Sequence, residues 1–388
     1  MESIEAVRDA ATRVMARAVG EVRLGTATSL TGSDRSTVLR LMVENASDGA
    51  PSSIVVKRAI GLGTEEDDPT RPDSPSIRYA NEWASLQFLQ DVAADEPFAP
   101  RLYGADRDAG ILVMEDLGHM PLQSDILLGD DPDAARADLI AYATTVGRMH
   151  ARTAPHVAEF KRLRNSLGPP NPGFGWEWIV PTFHGMLDCL GIPPVDGLDD
   201  DLATLAACMA DPGDFAAFIH ADPCPDNGGR IGDRGYLIDF EFSHIGHALM
   251  DGVYGRVPFP TCWCVGMIPE DVAGEMDRAY RQELSRGCPA ALNDQRYARA
   301  VAEACVFWMI LLCHWHPLPN LIEEDREWGP GTIRQRLLVR LAVAAGVTAD
   351  ADHLTAIGEM AGVMAGVLHE RWDADVAPMP LYPAFQAT

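Results

Sequence analysis

The chain predicts an α+β fold in which a small antiparallel sheet precedes a larger, mainly helical part. Before Gly118, short alternating or apolar stretches recur with turn signals between them, at residues 37–43, 53–58 and 111–115. Beyond it, apolar residues fall mostly at helical spacing. A chain of 388 residues also exceeds one ordinary core, and the change of pattern divides it into residues 1–117 and 118–388.

Taken in order, residues 1–15 mix Glu2, Glu5, Arg8, Asp9 and Arg13 with apolar residues at helical spacing, which predicts an amphipathic helix and not an export signal. The three strands follow. Between the second and third, residues 61–76 are rich in Gly, Pro, Asp and Glu and read as a mobile loop leading into a helix over 78–92. Later helices are expected over 133–151, 202–209, 268–286, 294–313 and 333–345. One interruption stands among them. Residues 215–220 and 236–240 are strand-like, with a tight turn at Gly232-Asp233-Arg234-Gly235 before the second.

Composition narrows the function classes. With 47% hydrophobic and 23% charged residues the chain reads as globular and soluble. Its longest apolar run, 304–313, is about half of the ~20 residues that cross a bilayer, so a buried helix is expected and no membrane span. Eight cysteines without an export signal point to free thiols and a cytoplasmic protein. Neither the Cys262/Cys264 pair nor the Cys313, His314 and His316 cluster has a second ligand pair at finger-like spacing, so no structural metal is expected. A net charge of −26 disfavours binding to nucleic-acid backbones and favours cationic ligands. Nothing in the pattern specifies an oligomeric state.

Lysine occurs only at positions 57 and 161, with arginine at every other basic position, so Lys57 answers a specific need. It sits in the apolar strand Ile54-Val-Val-Lys57, where an ammonium is costly unless paired. Glu82 shares a helix stripe with Leu86 and Leu89 and needs a partner in turn. Farther on, Asp222 and Asn227 occupy one proline-stiffened loop, and Asp239 ends the returning strand. If residues 228–238 form a hairpin, Asn227 and Asp239 can share a magnesium ion, which takes hard oxygen ligands. Asp222 is then left to orient and deprotonate an attacking hydroxyl.

His220-x-Asp222 with Asn227 five residues beyond the Asp, then Leu237-Ile-Asp239-Phe-Glu241, then Gly246 and Asp251, resembles the motif set of the aminoglycoside phosphotransferase and choline kinase-like superfamily. The resemblance implies a two-lobed protein-kinase-like fold and a small-molecule kinase that uses ATP or GTP with Mg2+. It implies that Lys57, held by Glu82, meets the α- and β-phosphates. Residues 111–118 become the inter-lobe hinge, with Met114 at the back of the purine pocket and Glu115 to Leu117 along it, and the 30–37 loop, with Ser33 but only Gly32 as glycine, cradles phosphate. Val146-Gly-Arg-Met-His150 resembles the helix end before the substrate-binding insertion.

The implied acceptor is a small hydroxylated molecule: an aminoglycoside, other antibiotic, amino sugar or amino alcohol. The insertion 153–214 and the tail beyond Gly252 supply Trp176, Glu177, Trp178 and Trp308, whose rings and carboxylate suit stacking and charge pairing, and Glu241 is a further acceptor-site candidate. The catalytic loop departs from the family pattern at Cys224, where His is frequent, and at Asp226, where Gly is frequent. Cys224 reads as a small packed residue. The interval from Asp239 to Asp251 leaves no room for a protein-kinase activation segment, which disfavours protein substrates. Two other classes compete: a catalytically inactive nucleotide-binding regulatory module, and a metal-dependent hydrolase using His220, Asp222, Asp239 and His244.

Overall fold

The computed structural model describes residues 4–30, 32–46, 49–172, 175–372 and 376–386. Residues 1–3 of the expected first helix, and Thr31 of the 30–37 loop, lie outside the described residues.

In chain order the elements begin with α1 (Ile4–Val19), β1 (Val22–Ser29), β2 (Ser36–Ala46), β3 (Ser53–Ala59), α2 (Pro75–Val92), β4 (Leu102–Asp106) and β5 (Ile111–Glu115). The middle holds α3 (Gln123–Leu127), α4 (Pro132–Thr153), α5 (Val157–Leu167), α6 (Ile179–Leu190), α7 (Leu198–Ala210), β6 (Ala216–Ile219), β7 (Gly228–Ile231), β8 (Arg234–Leu237) and β9 (His244–His247). The remainder is α8 (Leu249–Gly252), α9 (Glu270–Leu284), α10 (Asp294–Trp315), α11 (Leu318–Glu323), the short strands β10 (Glu327–Trp328) and β11 (Gly331–Thr332), α12 (Ile333–Ala351) and α13 (Thr355–Trp372). The fold class is α+β, as expected.

Two compact units form. The first takes Met1–Met120, Ala158–Phe174 and Tyr236–Ser243; the second takes Pro121–Val157, Gly175–Gly235 and His244–Thr388.

The first unit is built on an antiparallel sheet of order β1-β2-β3-β5-β4. Strand alternation sends Ile54 and Val56 to one face, where they pack with Ile111, Val113, Leu39 and Leu41 against Val7, Ala11, Val14 and Met15 of α1. Lys57 has the opposite parity and faces the other side, paired in register with Val38 and Leu112. The helix α2 starts three residues earlier than expected because Pro75 suits its first turn. The 61–76 loop before it is tied down by Asp67, which accepts from Gly63 N at 2.8 Å and Ser76 N at 2.9 Å.

The second unit packs α4 on α9, α10 on α12 and α12 on α13. The expected apolar run is part of the 22-residue α10, which is long and apolar enough to cross a membrane by length and composition, yet 72% of its most apolar stretch is buried within the chain. It is a core helix. Buried arginines of α12 satisfy carbonyls around it: Arg340 donates to Trp308 O at 2.9 Å and Pro260 O at 2.7 Å. A Thr332/Gln335 capping box starts α12.

The expected 228–238 hairpin is present as the β7–β8 ribbon. The strand assigned to 236–240 is corrected: β8 stops at Leu237, because Asp239 takes a left-handed φ of 68° that breaks extended pairing. β6 pairs instead with β9, Ile219 opposite His244.

Candidate functional site

In the first unit, β3, α2 and the segment after β8 bring three of the expected residues together. Lys57 Nζ lies 2.7 Å from Glu82 Oε2 and 2.5 Å from Asp239 Oδ1. Glu82 is only 4% exposed, so its carboxylate depends on this partner. Burial disfavours the Lys57 ammonium, but Glu82, Asp239 and Glu241 outweigh it and raise its pKa, so Lys57 is a cation throughout the neutral range. Glu82 is pushed upward by burial, with Lys57 opposing. Both residues were found in the sequence by the same signal, a charge on an apolar face.

Glu241 is held between Arg35 Nη1 at 3.3 Å and Arg78 Nη1 at 3.2 Å, and its backbone carbonyl accepts from Asn81 Nδ2 at 3.0 Å. Asn81 in turn accepts from Arg164 Nε at 2.6 Å. Arg35 and Arg78, which sequence reasoning passed over, thereby join Lys57, Glu82 and Glu241 around a small cavity. Their signal was weak, because arginine is common throughout this chain.

The expected hinge residues lie at the end of β5. Met114 is buried opposite Val55, and Glu115 pairs with Ile54 while its Oε2 accepts from Arg101 N at 3.1 Å. Leu117 is half-buried. Between them, Asp116 accepts from Arg40 Nε at 2.6 Å, Arg40 Nη2 at 2.9 Å, Ser53 Oγ at 2.7 Å and Gly118 N at 2.9 Å. Burial alone would raise its pKa; these donors outweigh it and hold it below the usual carboxylate value. Ser33 is exposed in the β1–β2 turn, its Oγ accepting from Arg35 N at 3.1 Å.

In the second unit, the loop after β6 carries Asp222 and Asn227. Ala221 holds a φ of 66°, a conformation costing about 1–2 kcal/mol for a residue with a Cβ. Asp251, at the end of the buried turn α8, supports that shape: Oδ2 accepts from His220 N at 2.7 Å and Oδ1 from Ala221 N at 3.1 Å. Behind Asp251 stands His150, Nε2 at 3.2 Å from Oδ2 and Nδ1 at 2.9 Å from Tyr280 Oη. Tyr142 Oη donates to Pro223 O at 2.9 Å. Within the loop, Asn227 Nδ2 donates to Asp222 O at 3.0 Å, and Cys224 Sγ donates to Asp222 Oδ1 at 3.1 Å. With its amide nitrogen spent on Asp222, Asn227 has a carbonyl oxygen suited to a hard cation.

The aromatic candidates divide by environment. Trp308 is 2% exposed in the core of α10, with Nε1 donating to Met250 O at 2.8 Å. Trp176 and Trp178 are half-buried, each edge-on to Phe307, and Glu177 between them is exposed.

The described residues thus hold a lysine paired with a buried helix glutamate on an antiparallel sheet, and an Asp–Asn loop after a short strand in a helical unit. Residues 29–288 match the model of the phosphotransferase enzyme family APH, and the chain belongs to that family. No curated protein matches it. Among solved structures it is similar to a choline/ethanolamine kinase family protein from Mesorhizobium loti (14% identity, 87% of this chain and 93% of that one, TM-score 0.42). It is also similar to an ethanolamine kinase from Plasmodium vivax (13%, 89% and 89%, 0.46) and to a macrolide 2'-phosphotransferase from Brachybacterium faecium (14%, 88% and 98%, 0.45).

Proposed function

We propose that the chain transfers the γ-phosphoryl group of ATP or GTP to a hydroxyl of a small molecule: an aminoglycoside, other antibiotic, amino sugar or amino alcohol. The observation that carries this reading is the Lys57–Glu82–Asp239 arrangement in a chain of the phosphotransferase family. Lys57, fixed by Glu82, neutralises the α- and β-phosphates. Met114, Glu115 and Leu117 line the purine, and Ser33 borders the phosphates. Residues 1–117 serve the nucleotide and 118–388 the acceptor.

Asp222 accepts the proton of the acceptor hydroxyl while the oxygen bonds to the γ-phosphorus and the bond to the β-phosphate breaks, releasing the nucleoside diphosphate. Asn227 Nδ2 and Cys224 Sγ donate to Asp222 and orient it. Magnesium fits the hard oxygen donors of Asn227 and Asp239, and when bound it would neutralise charge on the transferring phosphate. For the acceptor, Trp176 and Glu177 retain exposed surface, whereas Trp308 and Glu241 are engaged by core packing and by Arg35 and Arg78. The net charge of −26 favours a cationic acceptor.

Two substitutions separate these roles. Asp222→Ala should abolish transfer while leaving magnesium-nucleotide binding by calorimetry nearly intact; equal loss of both would refute the base assignment. Asp239→Ala should weaken nucleotide binding mainly in the presence of magnesium, and an unchanged magnesium dependence would remove it from the metal site.

A further inference from the structure

Three thiols and a carboxylate gather beside Asp222 in the second unit. Cys224 Sγ, Cys262 Sγ and an oxygen of Asp226 all lie within 4.8 Å of one another. Cys264 Sγ is 3.0 Å from Cys262 Sγ. All three cysteines are buried, at 3%, 1% and 0% exposure. Asp226 is less enclosed and reaches the rim, where Oδ2 accepts from Trp263 Nε1 at 2.9 Å, and the indole itself is exposed.

We propose that Cys224, Asp226 and Cys262 form a binding site for a thiophilic divalent cation of the zinc class, with Cys264 packed against Cys262. Zinc takes cysteine sulfur and carboxylate oxygen in a tetrahedron, with sulfurs about 2.3 Å from the metal and hence about 3.8 Å from one another. The ligand atoms of Cys224, Asp226 and Cys262, all within 4.8 Å of one another, reach that spacing with side-chain shifts of about 1 Å. The donor set excludes magnesium and calcium, which prefer all-oxygen shells, so this site is chemically separate from Asn227.

Charge supports the assignment. Binding a cation M2+ expels the S–H protons of the coordinating thiols as metal–sulfur bonds form. Two thiolates and one carboxylate exceed the charge of M2+, and Arg336 is a buried cation nearby. Arg336, 2% exposed, donates to Cys262 O at 2.6 Å, Trp263 O at 3.2 Å and Trp328 O at 2.5 Å and stacks on the Trp328 ring, with its Nε finding no partner among the described residues.

Occupancy has a consequence for Asp222 that rests on its reading as the base. Cys224 donates its S–H to Asp222 Oδ1, and Thr261 Oγ1 lies 3.0 Å from the same sulfur. Coordination removes that proton and sets a thiolate beside the carboxylate, which disturbs the base. Zinc would therefore inhibit transfer.

The test uses the reduced full-length chain and Zn2+ alone, titrated against a chromophoric chelator. One equivalent should bind, with affinity falling about a hundredfold in Cys224→Ser and Cys262→Ser and less in Asp226→Asn, which keeps the shape of the rim. Cys208→Ser, remote from the cluster, should bind as the parent does. Thermal melts confirm that the variants fold. Absence of stoichiometric zinc, or binding indifferent to all three substitutions, overturns the site whether or not the chain proves to be a kinase. In transfer assays one equivalent of zinc should suppress turnover and a chelator restore it; turnover unaffected by bound zinc would overturn the coupling to Asp222.

Discussion

Ala221 and Asp239 both adopt left-handed backbone without the freedom of glycine, and each adjoins or is an expected functional residue. Such strain persists only where the surroundings fix it. For Ala221 the fixing group is Asp251, whose two oxygens each take one backbone N–H. Asp251→Asn keeps the shape but offers a single acceptor, leaving one buried N–H unpaired at a cost of about 1–3 kcal/mol. Because the loop then relaxes, turnover should fall about a hundredfold while nucleotide affinity changes little. Steady-state kinetics beside calorimetry would show it, and unchanged turnover would mean that Asp251 is only a packing residue. The sequence disclosed Asp251 as part of a motif, but an alanine gives no sign of a left-handed φ, so the strain itself was illegible.

Lys57 and Glu82 were legible because charges on apolar faces demand partners; Asp239 as the third member was not, since its approach depends on a turn no local pattern encodes. Lys57→Met should destabilise the first unit by about 3 kcal/mol, because Glu82 is left buried without its cation. Glu82 then has a folded pKa raised above the unfolded value of about 4.5. A group of that kind contributes fully below the unfolded pKa and loses its contribution as pH rises through the folded one. Urea unfolding at about pH 5 and about pH 8 should therefore show a larger deficit at the higher pH. An equal deficit at both would mean that Glu82 finds another partner.

At the scale of elements, the strands with clean alternation were predicted, and β1 and β4 were not. Gly25 interrupts β1, and Gly104 sits at an irregular register in β4, so neither shows a period of two over enough residues. The β6–β9 pair was missed for another reason: β9 is a four-residue strand of His, Ile and Gly whose partner lies far back in the sequence. Helices were read more fully: α10 begins at the expected residue 294 and runs two residues past the expected end at 313.

The join between α10 and its neighbours carries a pH signature. Glu303 on α10 lies 3.3 Å from His247 Nε2 of β9 and 2.8 Å from His353 Nε2 before α13. Burial opposes its charge, but the two imidazoles outweigh it and hold the pKa at about 2, below the usual 4.5. A depressed carboxylate contributes above its unfolded pKa and loses that contribution as pH falls through the folded one, so about 3 kcal/mol should disappear between about pH 4.5 and about pH 2. Glu303→Gln should remove most of that acid sensitivity in denaturant titrations. A variant with the parental acid profile would place the sensitivity elsewhere.

For the whole molecule, the sequence divides at residue 117, while the compact units are assembled from separated segments, the first recruiting 158–174 and 236–243. Asn81 explains part of this: it ties α2 to Arg164 and to the carbonyl of Glu241, contacts that span 83 and 160 residues and leave no periodic trace. The same blindness hid the cysteine cluster. Cys262 and Cys264 lacked a second ligand pair at finger-like spacing, so no structural metal was expected; Cys224 and Asp226, which lie beside Cys262, come from a loop some forty residues earlier.

The central claim is phosphoryl transfer to a small hydroxylated acceptor with Asp222 as base. The most direct measurement incubates the chain with magnesium and ATP or GTP against aminoglycosides, other antibiotics, amino sugars and amino alcohols, and detects products by mass spectrometry beside Asp222→Ala. The account predicts a singly phosphorylated acceptor with the parent protein and none with the variant. A phosphorylated product formed equally by Asp222→Ala, or nucleotide bound tightly with no acceptor phosphorylated across the panel, would contradict it.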